Sequence, residues 1–158
     1  MPFIYLASQS PRRSQLLDQI GVAHALLLPH AEEDTETLEA VLPNERPAAY
    51  VQRVTQAKAD AALRRWQARG LPPAPILCAD TTVTLGTRIL GKPADAQDAA
   101  AMLHALSGQW HEVLTAVVLA DPATGQRQSA CSVSRVLFDT LDDARIAAYI
   151  ATGEPFGK

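Results

Sequence analysis

The sequence predicts a mixed α/β domain, and three observations carry that prediction. Apolar, β-rich runs alternate with stretches of helical periodicity along the chain. The breaks between them fall on Pro, Gly and Asp where helices and turns start or stop. No internal repeat or low-complexity linker interrupts the alternation, which favours interleaved helices and strands. With 158 residues and 47% hydrophobic residues, the chain can bury one proper core, and a second independent domain is not expected.

The first strand is read at Ile4-Tyr5-Leu6-Ala7. Ser10 then stands as N-cap and Pro11 as first helical residue, because proline has no N–H to waste and its φ is already helical. Leu16, Leu17 and Ile20 follow at helical spacing, closed by Gly21. Val22 to Leu28 reads as a second strand, and the acidic stretch from His30 to Glu45 as an exposed connection, most of it a solvated face. Arg46 to Arg69 is a long helix with an apolar stripe at Tyr50, Val51, Val54, Ala57, Ala61 and Leu63, stopped by Gly70-Leu71-Pro72-Pro73. Ile76 to Ala79 is a buried strand leading into Asp80, where a polar tip interrupts it; Thr81 to Leu85 and Arg88 to Leu90 flank a Gly86-Thr87 turn. A helix capped by Asp95 covers Ala96 to Leu106. Glu112 to Ala120 and Ser132 to Phe138 form an antiparallel hairpin about Asp121-Pro122-Ala123-Thr124-Gly125. Thr140-Leu141-Asp142-Asp143 resembles a capping box for a last helix reaching Ile150.

Composition excludes several functions. The formal net charge of −3 leaves no broad basic footprint for polymeric nucleic acid, so any phosphate binding is local. No apolar run of membrane-spanning length exists and the N-terminus lacks signal-peptide character, so a cytoplasmic protein without a membrane partner is expected. Cys78 and Cys131 lie in apolar runs without metal-site spacing and read as buried, reduced thiols. The four histidines show no zinc spacing, Trp66 and Trp110 read as packing residues, and no Gly-x-Ser-x-Gly elbow is present.

Two segments carry chemistry. In Ser8-Gln9-Ser10-Pro11-Arg12-Arg13, hydroxyls and two guanidiniums meet the N-terminus of a helix. There the macrodipole, free N–H groups and bidentate arginine all favour a phosphate. Helix capping is the simpler reading of that segment taken alone. In Ala79-Asp80-Thr81-Thr82, a carboxylate emerges from a buried strand between hydroxyls. It can hold a divalent cation or accept a proton from water, or it can serve only a turn. Lys58, among alanines of the long helix, and Lys92, between Gly91 and Pro93, are either phosphate ligands or solvated side chains. Glu33 is one of six acids in the acidic connection, any of which could bind metal.

Leu6-Ala7-Ser8-Gln9-Ser10-Pro11-Arg12-Arg13, Glu33, Lys58, Ala79-Asp80-Thr81, Gly91-Lys92-Pro93, Leu106-Ser107-Gly108 and Gly153-Glu154-Pro155-Phe156-Gly157-Lys158 occur in the order seen in Maf-like proteins. The chain resembles that family over essentially its whole length. The resemblance implies a two-lobed α/β fold with a mixed sheet, flanking helices and a central cleft, similar to inosine triphosphatases. It implies cleavage of a nucleoside triphosphate to monophosphate and pyrophosphate with a divalent cation (Mg²⁺, Mn²⁺ or Co²⁺), and a homodimer. It further implies that Asp80 is the proton acceptor, that Glu33 and Asp80 hold the metal, that Arg12, Arg13, Lys58 and Lys92 neutralise phosphates, and that Ser8 and Ser10 supply hydroxyls. The Ser-Pro-Arg-Arg form with Asp-Thr resembles the branch acting on dTTP and UTP, with Arg12 and Thr81 as specificity residues. The branch acting on 7-methyl-GTP carries a Trp in the first motif. The sequence stops at Lys158, before the family's further C-terminal segment with its glutamine turn, which raises a non-catalytic nucleotide-binding or cell-division regulatory protein as one alternative, with a 7-methyl-GTP pyrophosphatase as the other.

Overall fold

The computed structural model describes residues 3–156, so the expectation resting on Gly157 and Lys158 lies outside the described residues. The chain order is β1 (Phe3–Leu6), α1 (Pro11–Gln19), β2 (Ala23–Leu26), a 3-10 turn (Thr37–Glu39), α2 (Pro47–Arg69), β3 (Ile76–Leu85), β4 (Arg88–Leu90), α3 (Ala96–Leu106), β5 (Trp110–Ala120), β6 (Arg127–Leu137) and α4 (Asp143–Ala151). The predicted mixed α/β class is the one observed. The strands form one mixed sheet in the order β2-β1-β3-β5-β6, with β4 paired to β3. β1 runs parallel to both β2 and β3, with Tyr5 opposite Ala25 on one side and Ile76 on the other. Parallel neighbours require crossover connections, and α1 and α2 lie in those crossovers. β4 is antiparallel to the far half of β3, Leu85 opposite Arg88, with Gly86 supplying at φ 62° the positive φ of a two-residue hairpin.

The chain divides into two compact units. Residues 1–81 and 115–132 form the first, residues 82–114 and 133–158 the second. In the first, Tyr5, Leu27, Ala59, Ala62, Ile76, Cys78 and Val118 form a buried cluster, with Leu63 and Trp66 packed against it. Full burial of residues such as Ile76 and Val118 contributes about 1.5–3 kcal/mol each. In the second, α3 packs against α4, and Ala99, Leu106 and Ile146 are buried.

Local signals placed most elements and missed some details. Pro11 opens α1 and Ser10 holds the N-cap position, but the Ser10 side chain makes no cap bond. Asp95 does cap α3, accepting the Asp98 N–H. Gly70, left-handed at φ 59°, ends α2. The last helix is capped by Asp142, which accepts the Arg145 N–H, and not by Thr140. The buried row of α2 is Tyr50, Val51, Val54, Thr55, Ala59, Ala62 and Arg65, so the expected stripe holds at Tyr50, Val51 and Val54 and then shifts off Ala57, Ala61 and Leu63. No tip interrupts β3 at Asp80, because the strand continues through it to Leu85. Cys131 is exposed, contrary to expectation, because β6 forms the outer edge of the sheet order and carries no buried residue. Trp110 is likewise 55% exposed, with the Arg135 guanidinium 5.0 Å from its ring centroid.

Candidate active site

The end of β1 delivers Ser8 into a buried position, where its Oγ accepts the Ser10 N–H at 3.2 Å and Arg13 Nη1 at 3.0 Å. Arg13 comes from the first turn of α1 and also reaches Thr81 Oγ1 on β3, through Nη2 at 3.4 Å. Thr81 Oγ1 lies 3.0 Å from Thr115 Oγ1 on β5, the strand next to β3. Desolvation lowers the Arg13 pKa, Asp80 works against that, and neighbouring Arg12 adds to it. A guanidinium starts so basic that it keeps its charge. This cluster therefore presents cationic and hydroxyl donors suited to an anion.

Asp80, the residue before Thr81, has a side chain only 13% exposed. Lys58 Nζ donates to Asp80 Oδ1 at 2.9 Å and to Glu39 Oε1 at 3.0 Å. Burial works against the Lys58 charge, but Asp80 and Glu39 outweigh it and hold the pKa above the ordinary lysine value. Tyr50 donates its hydroxyl to the Glu39 carbonyl at 2.6 Å. Its phenol pKa is raised, first by desolvation and then by the charges of Asp80 and Glu39. A cluster of guanidinium and hydroxyl groups and a carboxylate cluster thus meet at consecutive residues of one strand.

A family model described as "Maf-like protein" matches residues 3–158. The chain belongs to the Maf family. Proteins named dTTP/UTP pyrophosphatase are similar to it. That of Albidiferax ferrireducens is 61% identical, over 99% of this chain and 77% of the relative. Those of Polaromonas sp. and Ralstonia nicotianae are 57% and 60% identical, over 99% of this chain and 76% and 75% of theirs. The chain thus spans about three quarters of the length of these Maf relatives. Among solved structures, a lipoprotein from Neisseria meningitidis aligns at TM-score 0.38 with 11% identity, over 98% of this chain and 96% of its own, a likeness that carries no argument.

Of the residues that the Maf resemblance implied, Ser8, Arg13, Thr81, Lys58 and Asp80 fall in the two clusters just described. Ser10 contributes its backbone N–H to Ser8, and Arg12 is exposed beside Arg13. Lys92 is exposed in the second unit, just after β4. Glu33 is taken by Arg65, whose Nε lies 3.2 and 3.1 Å from its two carboxylate oxygens and whose Nη2 lies 2.8 Å from Oε2. That grip lowers the Glu33 pKa, with the Arg65 hydrogen bond as the main cause. Sequence reasoning missed Glu39 and Thr115. No local signal separates Glu39 from the other acids of its connection. Thr115 is a lone hydroxyl in an apolar β-run, informative only once β5 is known to lie beside β3. Among the described residues, no three His, Cys, Asp or Glu side chains converge as a preformed metal site. No helix among them is long and apolar enough to cross a membrane.

Proposed function

We propose that this chain hydrolyses dTTP and UTP, and modified pyrimidine triphosphates, to the monophosphate and pyrophosphate, clearing the nucleotide pool. The observation that carries the reading is the conjunction at Asp80-Thr81 of a carboxylate held by Lys58 with an anion grip formed by Arg13 and Ser8, in a chain 57–61% identical to proteins named for that activity. Arg13, the hydroxyls of Ser8 and Thr81, exposed Arg12 and Lys92 bind and neutralise the phosphates. Asp80 accepts a proton from the water that attacks the α-phosphorus. The bond from that phosphorus to its bridging oxygen breaks, and pyrophosphate leaves.

A divalent cation, Mg²⁺, Mn²⁺ or Co²⁺, belongs to the same proposal. Two carboxylates already gather round one cationic nitrogen at Lys58, and hard oxygen donors of this kind, few in number and completed by substrate phosphates, suit such ions. Asp80 and a carboxylate from the acidic connection would hold the ion. Glu39 already shares Lys58 with Asp80, whereas Glu33, the residue the resemblance implies, would have to leave Arg65. Bound there, the ion would neutralise phosphate charge and polarise the phosphoryl oxygens.

Incubation with Mg²⁺ or Mn²⁺ and a panel of triphosphates, 7-methyl-GTP included, tests the reading by the release of monophosphate and pyrophosphate. Asp80→Asn is expected to lower turnover about 10²–10⁴-fold, the usual contribution of a positioned base, with an unchanged circular dichroism spectrum. Binding without turnover of any nucleotide overturns the enzymatic reading, and an active Asp80→Asn protein overturns the role of Asp80. A homodimer is part of the proposal; light scattering at micromolar concentration is expected to give twice the chain mass, and a monomer refutes it.

A further inference from the structure

We infer that Thr115 is a positioning residue for the triphosphate site, acting by fixing which way the Thr81 hydroxyl points. The inference rests on the proposed binding of a triphosphate and follows from counting protons and lone pairs. A hydroxyl oxygen has two acceptor sites and one proton to donate. At Ser8, both acceptor sites are filled, one by the Ser10 N–H and one by Arg13 Nη1, so its proton is left to donate outward. Thr81 Oγ1 has one acceptor site filled by Arg13 Nη2. Thr115 Oγ1 lies 3.0 Å away, and either hydroxyl can donate in that pair; in the inferred arrangement Thr115 donates and fills the second site. With both sites filled, Thr81 also has only its proton to give.

In that arrangement Arg13 is flanked by two hydroxyls of the same polarity, both donors and both beside a guanidinium. The acceptor that matches such a set is anionic and carries several oxygens, as a phosphate chain does; a pyrimidine carbonyl would need no second donor and no cation. Thr115 does its part without touching the ligand. Its position also suits a fixed orientation, because it is only partly exposed and sits on the strand beside β3, where the sheet ladder holds both backbones.

The test uses Thr115→Val, which keeps the shape and removes the hydroxyl, and Thr115→Ser, which keeps the hydroxyl. Calorimetric binding of inorganic tripolyphosphate and steady-state turnover of dTTP are measured for both variants and the unsubstituted protein. Thr115→Val is expected to weaken tripolyphosphate binding about three- to tenfold, the range for loss of one neutral hydrogen bond, and to raise KM for dTTP by a similar factor with kcat within about twofold. Thr115→Ser is expected to restore both. Equal behaviour of the two variants, at the unsubstituted level or below it, overturns the inference. So does a change confined to nucleotides with tripolyphosphate binding intact, which assigns Thr81 to the base, or a fall in kcat alone. Absent turnover with intact tripolyphosphate binding overturns the hydrolytic reading and leaves this inference to stand on the binding comparison. If the unsubstituted protein binds no tripolyphosphate, the inference falls.

Discussion

Replacing Arg65 by methionine separates the two roles open to Glu33. The Arg65 side chain is 6% exposed and that of Glu33 33% exposed. The guanidinium also donates to the Leu27 carbonyl at 3.0 Å. Methionine preserves much of the packed stem but leaves the Leu27 carbonyl and the Glu33 carboxylate without their donor. Removing one partner of a fully buried ion pair costs about 3–5 kcal/mol. Glu33 is one-third exposed and regains water, so the expected loss is smaller, about 2–3 kcal/mol, made up of a hydrogen bond to a charged group and an unsatisfied carbonyl. For a chain of this size that corresponds to a melting temperature lower by about 5–10 °C. Urea denaturation of Arg65→Met, Glu33→Gln and the double variant gives the coupling, expected at about 1 kcal/mol because the second substitution removes a charge the first has stranded. A loss under about 0.5 kcal/mol for Arg65→Met, or additive single effects, refutes the pairing. The same Glu33→Gln protein, titrated with Mn²⁺ in the presence of a triphosphate, is expected to keep its cation affinity within about twofold. A loss beyond about tenfold in the folded variant returns Glu33 to the cation.

Acid is expected to destabilise the fold in two stages. His111 is 6% exposed, its buried Nδ1 has no hydrogen-bond partner among the described residues, and desolvation lowers its pKa below the ordinary 6.5. The unfolded chain therefore binds the proton more readily, and the stability of the neutral imidazole is lost as pH falls from about 6.5 through the lowered folded value. Glu33 and Glu45 are held below the ordinary 4.5 by hydrogen bonds from Arg65 and Arg53, so their contribution is lost only as pH falls from about 4.5 through their folded values. Urea melts between pH 7.5 and 3.5 read both stages. His111→Leu should flatten only the upper one, and an unchanged upper slope in that variant contradicts the assignment.

The elements legible in the sequence were those with a local cause. Pro11, Asp95 and Gly70 each act on their own backbone, so the bounds they set matched the structure closely. The Ser8 to Arg13 segment and Asp80 stood out because their residue types adjoin in sequence, and the structure brings Ser8, Arg13 and Thr81 together. What stayed hidden depends on partners remote in sequence. Glu39 meets Lys58 across 19 residues and Glu33 meets Arg65 across 32, and neither pairing can be told from composition when six acids compete. Thr115 meets Thr81 across 34 residues, through a strand adjacency that periodicity does not report. Cys131 was misplaced because an apolar run reads the same on an edge strand as on a central one, while exposure depends on what lies beside the strand.

The acidic connection was read as mostly solvated, yet its contacts follow a plain order. Leu28, Glu33, Glu39 and Glu45 are met in turn by Arg69, Arg65, Lys58 and Arg53, so the segment runs antiparallel along α2. Twelve residue steps of connection, from Glu33 to Glu45, answer twelve of helix, from Arg65 to Arg53, a span of about 18 Å at helical rise. An extended chain of that length would cover about 40 Å, so the segment carries slack, some of it wound into the Thr37–Glu39 turn and the left-handed Asn44. Slack of this kind lets residues be gained or lost between anchor points without moving the helix. Glu39, held between two such anchor points, joins the segment through Lys58 to Asp80 on β3.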